Sequence, residues 1–176
     1  KHAHCDLGVQ RARLPIAKHR REILFLLEQT SCLVVVGETG CGKTTQIPQY
    51  LHESGWTDRG HRVVCTQPSE VAVVTVAERV AQELQAASDS GSAAGAGNAV
   101  EEVGTTVGYR CEFEERLCEE RTRIEFATDR SLLRLLMANP LLEGYSVVMV
   151  DEAHERSLAT DLLLGLLKKV QRRRPE

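Results

Sequence analysis

The chain has 176 residues, a formal net charge of −3, 42% hydrophobic and 27% charged residues. That balance fits one globular domain with a sizeable core, and excludes a collagen-like or compositionally disordered chain. A net negative charge also excludes a globally basic nucleic-acid binder. Any such binding needs a local patch, for which Arg172-Arg173-Arg174 is a candidate and a solvated helix end the other reading.

Six cysteines stand at 5, 32, 41, 65, 111 and 118, none of them in a C-x-x-C pair. Cys32 and Cys65 sit in or beside apolar runs, where cysteine acts as a small hydrophobe. The expectation is a reducing compartment without a disulfide framework. His2, His4 and Cys5 are a weak metal set or part of a loose tail. With no signal peptide or spanning apolar run, the protein is expected inside the cell and off the membrane.

Residues 1–14 read as an N-terminal extension, with Pro15 as punctuation. From Ile16 the apolar spacing of Ala17, Ile23, Leu24 and Leu27 is helical, ending near Gln29-Thr30-Ser31. Leu33-Val34-Val35-Val36 reads as a buried strand. Next comes Gly37-Glu38-Thr39-Gly40-Cys41-Gly42-Lys43-Thr44, which matches the phosphate-binding pattern G-x-x-x-x-G-K-[ST]. Its glycines allow a tight turn whose N–H groups converge on phosphate oxygens. The following helix, Thr45 to Glu53, adds the positive end of its dipole. Lys43 would reach the β- and γ-phosphates and Thr44 would hold Mg²⁺. Pro48 should shorten or kink that helix.

Arg62 to Thr66 is a second strand. Ser69 is an N-cap candidate for an amphipathic helix from Glu70 to about Ala86. Residues 86–99 are a small-residue run with nothing to bury, and read as a flexible insertion within the domain. Val103–Cys111 and Arg123–Ala127 read as strands around an acidic turn at Glu112–Glu120. Thr128-Asp129 caps a helix through Leu136, and Leu141-Leu142 can pack on the core. Ser146–Val150 is apolar without alternation, as in a parallel strand covered on both faces. A closing helix is expected to bury Leu158, Leu162, Leu163, Leu166, Leu167 and Val170. Alternating strands and helices predict a mainly parallel α/β sheet, with ligands beyond the carboxyl ends of its strands.

Asp151-Glu152-Ala153-His154 lies at such an end. Asp151 can share with Thr44 the Mg²⁺ of a bound triphosphate, and Glu152 can polarise a water for in-line attack on the γ-phosphate. Both then belong to the metal and catalytic set, with Lys43.

These motifs, in this order, resemble the first RecA-like lobe of the DEAH-box ATP-dependent RNA helicases. The resemblance runs from about Pro15 to Pro175. It is carried by Gly37–Gln46 followed by Ile47-Pro48-Gln49-Tyr50, by Thr66-Gln67-Pro68, Val107-Gly108-Tyr109 and Thr128-Asp129, and by Asp151-Glu152-Ala153-His154-Glu155-Arg156-Ser157. It implies a RecA-like P-loop NTPase fold, a three-layer α/β/α sandwich over 15–176. It also implies ATP, possible use of other triphosphates, Mg²⁺, and an RNA partner. The sequence is most similar to the splicing-associated branch, which implies ribonucleoprotein partners and slightly favours the nucleus over the cytoplasm. Arg79 would stack on the nucleotide base, the loop residues through Thr45 would contact the nucleotide, and His154 would couple nucleotide state to a second lobe.

The chain departs from the family's pattern at three places. Pro68-Ser69-Glu70 stands for Pro-Arg-Arg, Arg130 for the glycine of Thr-Asp-Gly, and Glu112 for an arginine. Two of these remove positive charge that would face RNA, and phosphate contacts supply much of nucleic-acid affinity. The Ser-Ala-Thr motif and the second lobe, with its arginine finger, are absent from the sequence. The expectation is a lobe that binds ATP, hydrolyses it poorly and does not unwind RNA alone. The alternative is a truncated, non-motor module for nucleotide binding or protein interaction.

Overall fold

The structure is a computed structural model that describes residues 7–91 and 102–174. Five strands form one sheet in the order β3-β2-β4-β1-β5. They are β1 (Arg62–Gln67), β2 (Val107–Arg110), β3 (Glu115–Arg116), β4 (Ile124–Thr128) and β5 (Tyr145–Val150). Only the short β3 is antiparallel, against β2. Among the described residues six α-helices accompany them: α1 (Leu7–Arg13), α2 (Arg20–Gln29), α3 (Lys43–Glu53), α4 (Glu70–Gly91), α5 (Asp129–Ala138) and α6 (Leu158–Arg173).

Successive side chains of a strand point to opposite faces, and the packing follows that alternation. On one face Val63 meets Ile47, Tyr50 and Leu51 of α3, while Cys65, Ile124 and Phe126 meet Val73, Ala77, Val80 and Ala81 of α4. On the other, Val64 and Ala127 meet Leu132 and Leu136 of α5 and Leu163 of α6. The result is the three-layer, mainly parallel α/β arrangement of a RecA-like fold. Phe126 has no exposed surface, and burying a side chain of that size stabilises by about 1.5–3 kcal/mol. Gly108 on β2 is needed where β3 crosses close: a Cβ there would lie 2.4 Å from the carbonyl oxygen of Arg116.

The register brings the functional ends together. Gln67 pairs with Thr128, and Thr66 with Val150, so β1, β4 and β5 finish at one edge of the molecule with Asp151 beside them. Helix caps follow the sequence there. Ser69, Thr128 and Ser157 accept from the N–H groups of Ala72, Ser131 and Thr160 at 3.2, 3.1 and 3.0 Å.

Four expectations are corrected. Leu33–Val36 is not a buried strand: its backbone belongs to no strand of the sheet, and Val34 and Val36 are 80% and 92% exposed. An apolar strand needs a ladder and cover on both faces. Here the segment runs without a ladder, pinned at its start by Gln171, whose Nε2 donates to the Ser31 carbonyl at 2.8 Å. Of the apolar residues expected to be buried on α6, only Leu163 is fully so, and Leu158, Leu162 and Leu166 are exposed. The helix has one covered stripe where the leucine spacing allowed two.

Of the insertion expected at 86–99, residues 86–91 belong to α4, which continues to Gly91. Its alanines are strong helix formers and extend the helix; the rest of that segment lies outside the described residues. At the N-terminus, Leu7–Arg13 is helical rather than loose, held by Arg11 Nε on Gln46 Oε1 at 2.9 Å and Arg11 Nη2 on Glu53 Oε1 at 2.8 Å. His2, His4 and Cys5 lie outside the described residues.

Candidate nucleotide site

The loop Gly37–Gly42 is built against the N-terminal segment. The Ile16 N–H donates to the Cys41 carbonyl at 3.2 Å, and the Gly42 carbonyl accepts the Gln46 N–H at 2.8 Å. Gly42 has φ of 100°, a conformation side chains disfavour. A Cβ there would come within 3.0 Å of Leu14 and 3.1 Å of Ile16. Glycine is thus required twice over, by conformation and by space. Glu38, Thr39 and Gly40 are exposed at the rim, while Cys41 to Thr45 are half-buried. Helix α3 starts at Lys43, so its first N–H groups lack intrahelical acceptors and face the loop opening. It also runs through Pro48 to Glu53 without ending there.

Lys43 Nζ donates to the carbonyls of Gly37 at 2.7 Å and Glu38 at 3.0 Å, and lies 3.8 Å from Cys41 Sγ. The ammonium is folded back on its own loop, where it neutralises the carbonyl dipoles at the rim. Thr45 Oγ1 reaches the Gly42 carbonyl at 3.5 Å and accepts from Gln46 Nε2 at 3.0 Å.

Across 107 residues of sequence, the Thr44 hydroxyl donates to Asp151 Oδ2. Asp151 is buried and further held by Gln67 Nε2 at 2.8 Å and by the Glu152 N–H at 3.0 Å. Gln67, which had no predicted role, is the residue that orients the carboxylate. Its place at the carboxyl end of β1 was the available signal. The buried thiol of Cys65 nearby is pushed well up, first by burial and then by the charge of Asp151.

Glu152 adopts φ 48°, ψ 31°, a left-handed conformation that costs a non-glycine residue about 1–2 kcal/mol. Its Oε2 stands 3.4 Å from His154 Nδ1, and the His154 side chain is 78% exposed. Arg79 is set apart from the loop. Its Nε donates to Glu83 Oε1 at 2.7 Å and its Nη2 to Gln10 at 3.3 Å. It reaches the loop only through Glu83 and Gln46. Glu83 was missed too, although its spacing of four from Arg79 on a helix was a legible signal.

The donor set fits Mg²⁺ with a nucleotide. Thr44 and Asp151 offer two hard oxygens, and Mg²⁺ is typically held by one or two protein oxygens with phosphates and water completing the octahedron. Among the described residues, no group of three or more His, Cys, Asp or Glu could hold a metal alone. No described helix is long and apolar enough to cross a membrane.

A glycine-walled loop feeding a helix N-terminus, opposite a carboxylate at the tip of a parallel strand, defines the class as a P-loop domain of the RecA-like α/β type. Residues 26–174 match the AAA domain family, and the chain belongs to it. Its curated relatives agree with the motif reading. It is 49% identical over 173 residues to a human protein named "Probable ATP-dependent RNA helicase DHX35", covering 98% of this chain and 22% of that one. It is 46% identical to the DHX35 homolog of Caenorhabditis elegans, over 96% of this chain and 21% of the relative. A Schizosaccharomyces pombe relative, named "Putative pre-mRNA-splicing factor ATP-dependent RNA helicase C20H4.09", is 42% identical over 96% of this chain and 24% of its own length. The resemblance to DEAH-box helicases is thus borne out, and the chain spans under a quarter of the length of these relatives.

Proposed function

We propose that this chain is the ATP-binding lobe of an RNA helicase motor, binding ATP with Mg²⁺ and hydrolysing it poorly on its own. The observation that carries this reading is the Thr44–Asp151 contact, which joins the phosphate loop to the strand end. On nucleotide binding, the Lys43 ammonium exchanges the Gly37 and Glu38 carbonyls for phosphate oxygens. Thr44 and Asp151 would hold the Mg²⁺, with Gln67 keeping the carboxylate aimed. The bound Mg²⁺ supplies charge neutralisation at the phosphates. Glu152 accepts a proton from the attacking water, and its neighbour His154 is placed at the exposed surface to couple to a second lobe. Arg79 presents its guanidinium to the base.

Titrating ATP with Mg²⁺ into this chain and into Lys43→Ala tests the reading. A phosphate-binding ammonium contributes charge-assisted bonds, so the variant should bind about tenfold more weakly or worse. Equal binding by both, or none by either, sinks it. Hydrolysis should be slow and barely stimulated by single-stranded RNA, because a trans arginine can be worth orders of magnitude in turnover. In the full-length motor the same lobe would serve RNA remodelling with ribonucleoprotein partners, in the nucleus by preference.

One observation favours the second reading, a non-motor module. The departing residues satisfy one another: the Glu112 N–H donates to Glu70 Oε1 at 3.2 Å, and Arg130 Nη1 pairs with Glu112 Oε1 at 3.4 Å. Charge that would meet RNA is thereby taken up within the chain.

A further inference from the structure

Glu83 is a buried carboxylate, 2% exposed, on the inner face of α4. Its Oε2 accepts from Gln46 Nε2 and Gln49 Nε2, each at 2.8 Å. Its Oε1 accepts from Arg79 Nε at 2.7 Å, and Arg11 Nε stands 3.9 Å from Oε2. These donors come from three helices. Gln46 and Gln49 belong to α3, which begins at the phosphate-loop lysine, Arg79 to α4, and Arg11 to α1.

A buried charge is costly unless it is paired and fully hydrogen-bonded, and apolar packing would join the same helices at lower cost. What a carboxylate adds is direction. It grips Arg79 by Nε, and Gln10 of α1 takes Nη2 at 3.3 Å, so two hydrogen bonds in one plane fix the guanidinium. The Arg79 side chain is still 43% exposed, so it remains within reach of a partner from solvent. Guanidinium groups stack on aromatic faces when their plane is set. The same carboxylate is bonded to the helix that carries the triphosphate end of the site.

We propose that Glu83 is a positioning residue of the nucleotide site, setting the plane of Arg79 for a nucleotide base at a fixed place relative to α3. The proposal rests on the nucleotide reading above. By this account α1 is part of the site, through Gln10 and Arg11.

The test compares ATP with inorganic tripolyphosphate, a probe that has the phosphates and no base, both with Mg²⁺. Dissociation constants are measured for the wild-type chain, Glu83→Gln, Arg79→Ala and the double variant. Glu83→Gln removes a charge-assisted bond to Arg79, so it should weaken ATP about tenfold while tripolyphosphate changes less than about twofold. In the Arg79→Ala background it should have no further effect on ATP. An equal loss for both ligands, or an undiminished loss on top of Arg79→Ala, marks Glu83 as merely structural and overturns the proposal. If Glu83→Gln fails to fold by thermal melting, Glu83→Asp keeps the charge and withdraws it from Arg79. That variant should show the same split between ligands, and no split overturns the proposal. A wild-type chain that binds neither ligand overturns the nucleotide reading with it. Wild-type binding that no variant alters overturns the roles of Glu83 and Arg79 and leaves the phosphate end of the nucleotide reading standing.

Discussion

Gln67 shows how much of this site depends on residues without chemistry of their own. Its amide holds Asp151 Oδ2 at 2.8 Å from the end of the neighbouring strand, and its side chain is buried. Without it, Asp151 keeps the Thr44 hydroxyl and the Glu152 N–H, and the first of these is lost once Thr44 turns to a metal. Partners that orient a metal ligand are commonly worth about 10–100-fold in metal affinity. Gln67→Ala should therefore weaken Mg²⁺ binding to the ATP-loaded chain about tenfold. Binding of ATP in the presence of EDTA should stay near wild type. Calorimetric Mg²⁺ titration at saturating ATP reads the difference. An unchanged Mg²⁺ affinity would show that Asp151 is held without Gln67.

At the level of elements, periodicity was a sound guide where a layer exists to cover the apolar face. The strands at β1, β4 and β5 and the helices α4 and α5 are where the apolar spacing places them. It misled at Leu33–Val36 and along α6. An apolar run states that a face could be buried, and only the packing states whether it is. The loop and Asp151 were legible because their residue types and order are tied to phosphate and metal chemistry. Gln67 and Glu83 offered only a strand-end position and a helical spacing, and their roles exist only after β1, α3 and α4 are brought together. The acidic stretch after β2 carries a consequence of the same kind. Glu112 holds Arg130 at 3.4 Å, its carbonyl accepts from Arg134 at 3.2 Å, and its N–H is fixed by Glu70. Glu112→Ala should release Arg130 and tighten binding of single-stranded oligouridylate severalfold. Each further phosphate that the chain neutralises steepens the salt dependence by about 0.7 in log–log slope for a single strand. The pair is exposed on the arginine side, and such pairs contribute about 0–1 kcal/mol, so the melting temperature should barely move. Fluorescence anisotropy at two salt concentrations measures both affinity and slope. Values identical to wild type would place Arg130 away from any nucleic-acid path.

The whole molecule is asymmetric in how it treats its two sheet edges. On one side the sheet closes with β3, a two-residue antiparallel strand carrying Glu115 and Arg116, short and charged as protected edges are. On the other, every β5 residue after Tyr145 is only half-buried; Val34 and Val36, and Leu158 and Leu162 on α6, are exposed as well. Large apolar side chains and unpaired strand edges left open to water favour association with another chain. The isolated chain should therefore self-associate with rising concentration, through this side and not through β3. Replacing Val36 and Leu158 by lysine should suppress that association. Neither side chain is buried, at 92% and 79% exposure, so the double variant should keep the wild-type melting temperature. It should also keep its ATP affinity, since neither side chain bonds to Lys43, Thr44 or Asp151. Sedimentation velocity over a concentration series decides the matter. A wild-type chain that stays monomeric throughout, or a variant that associates as strongly as wild type, would show that the open β5 side does not drive association.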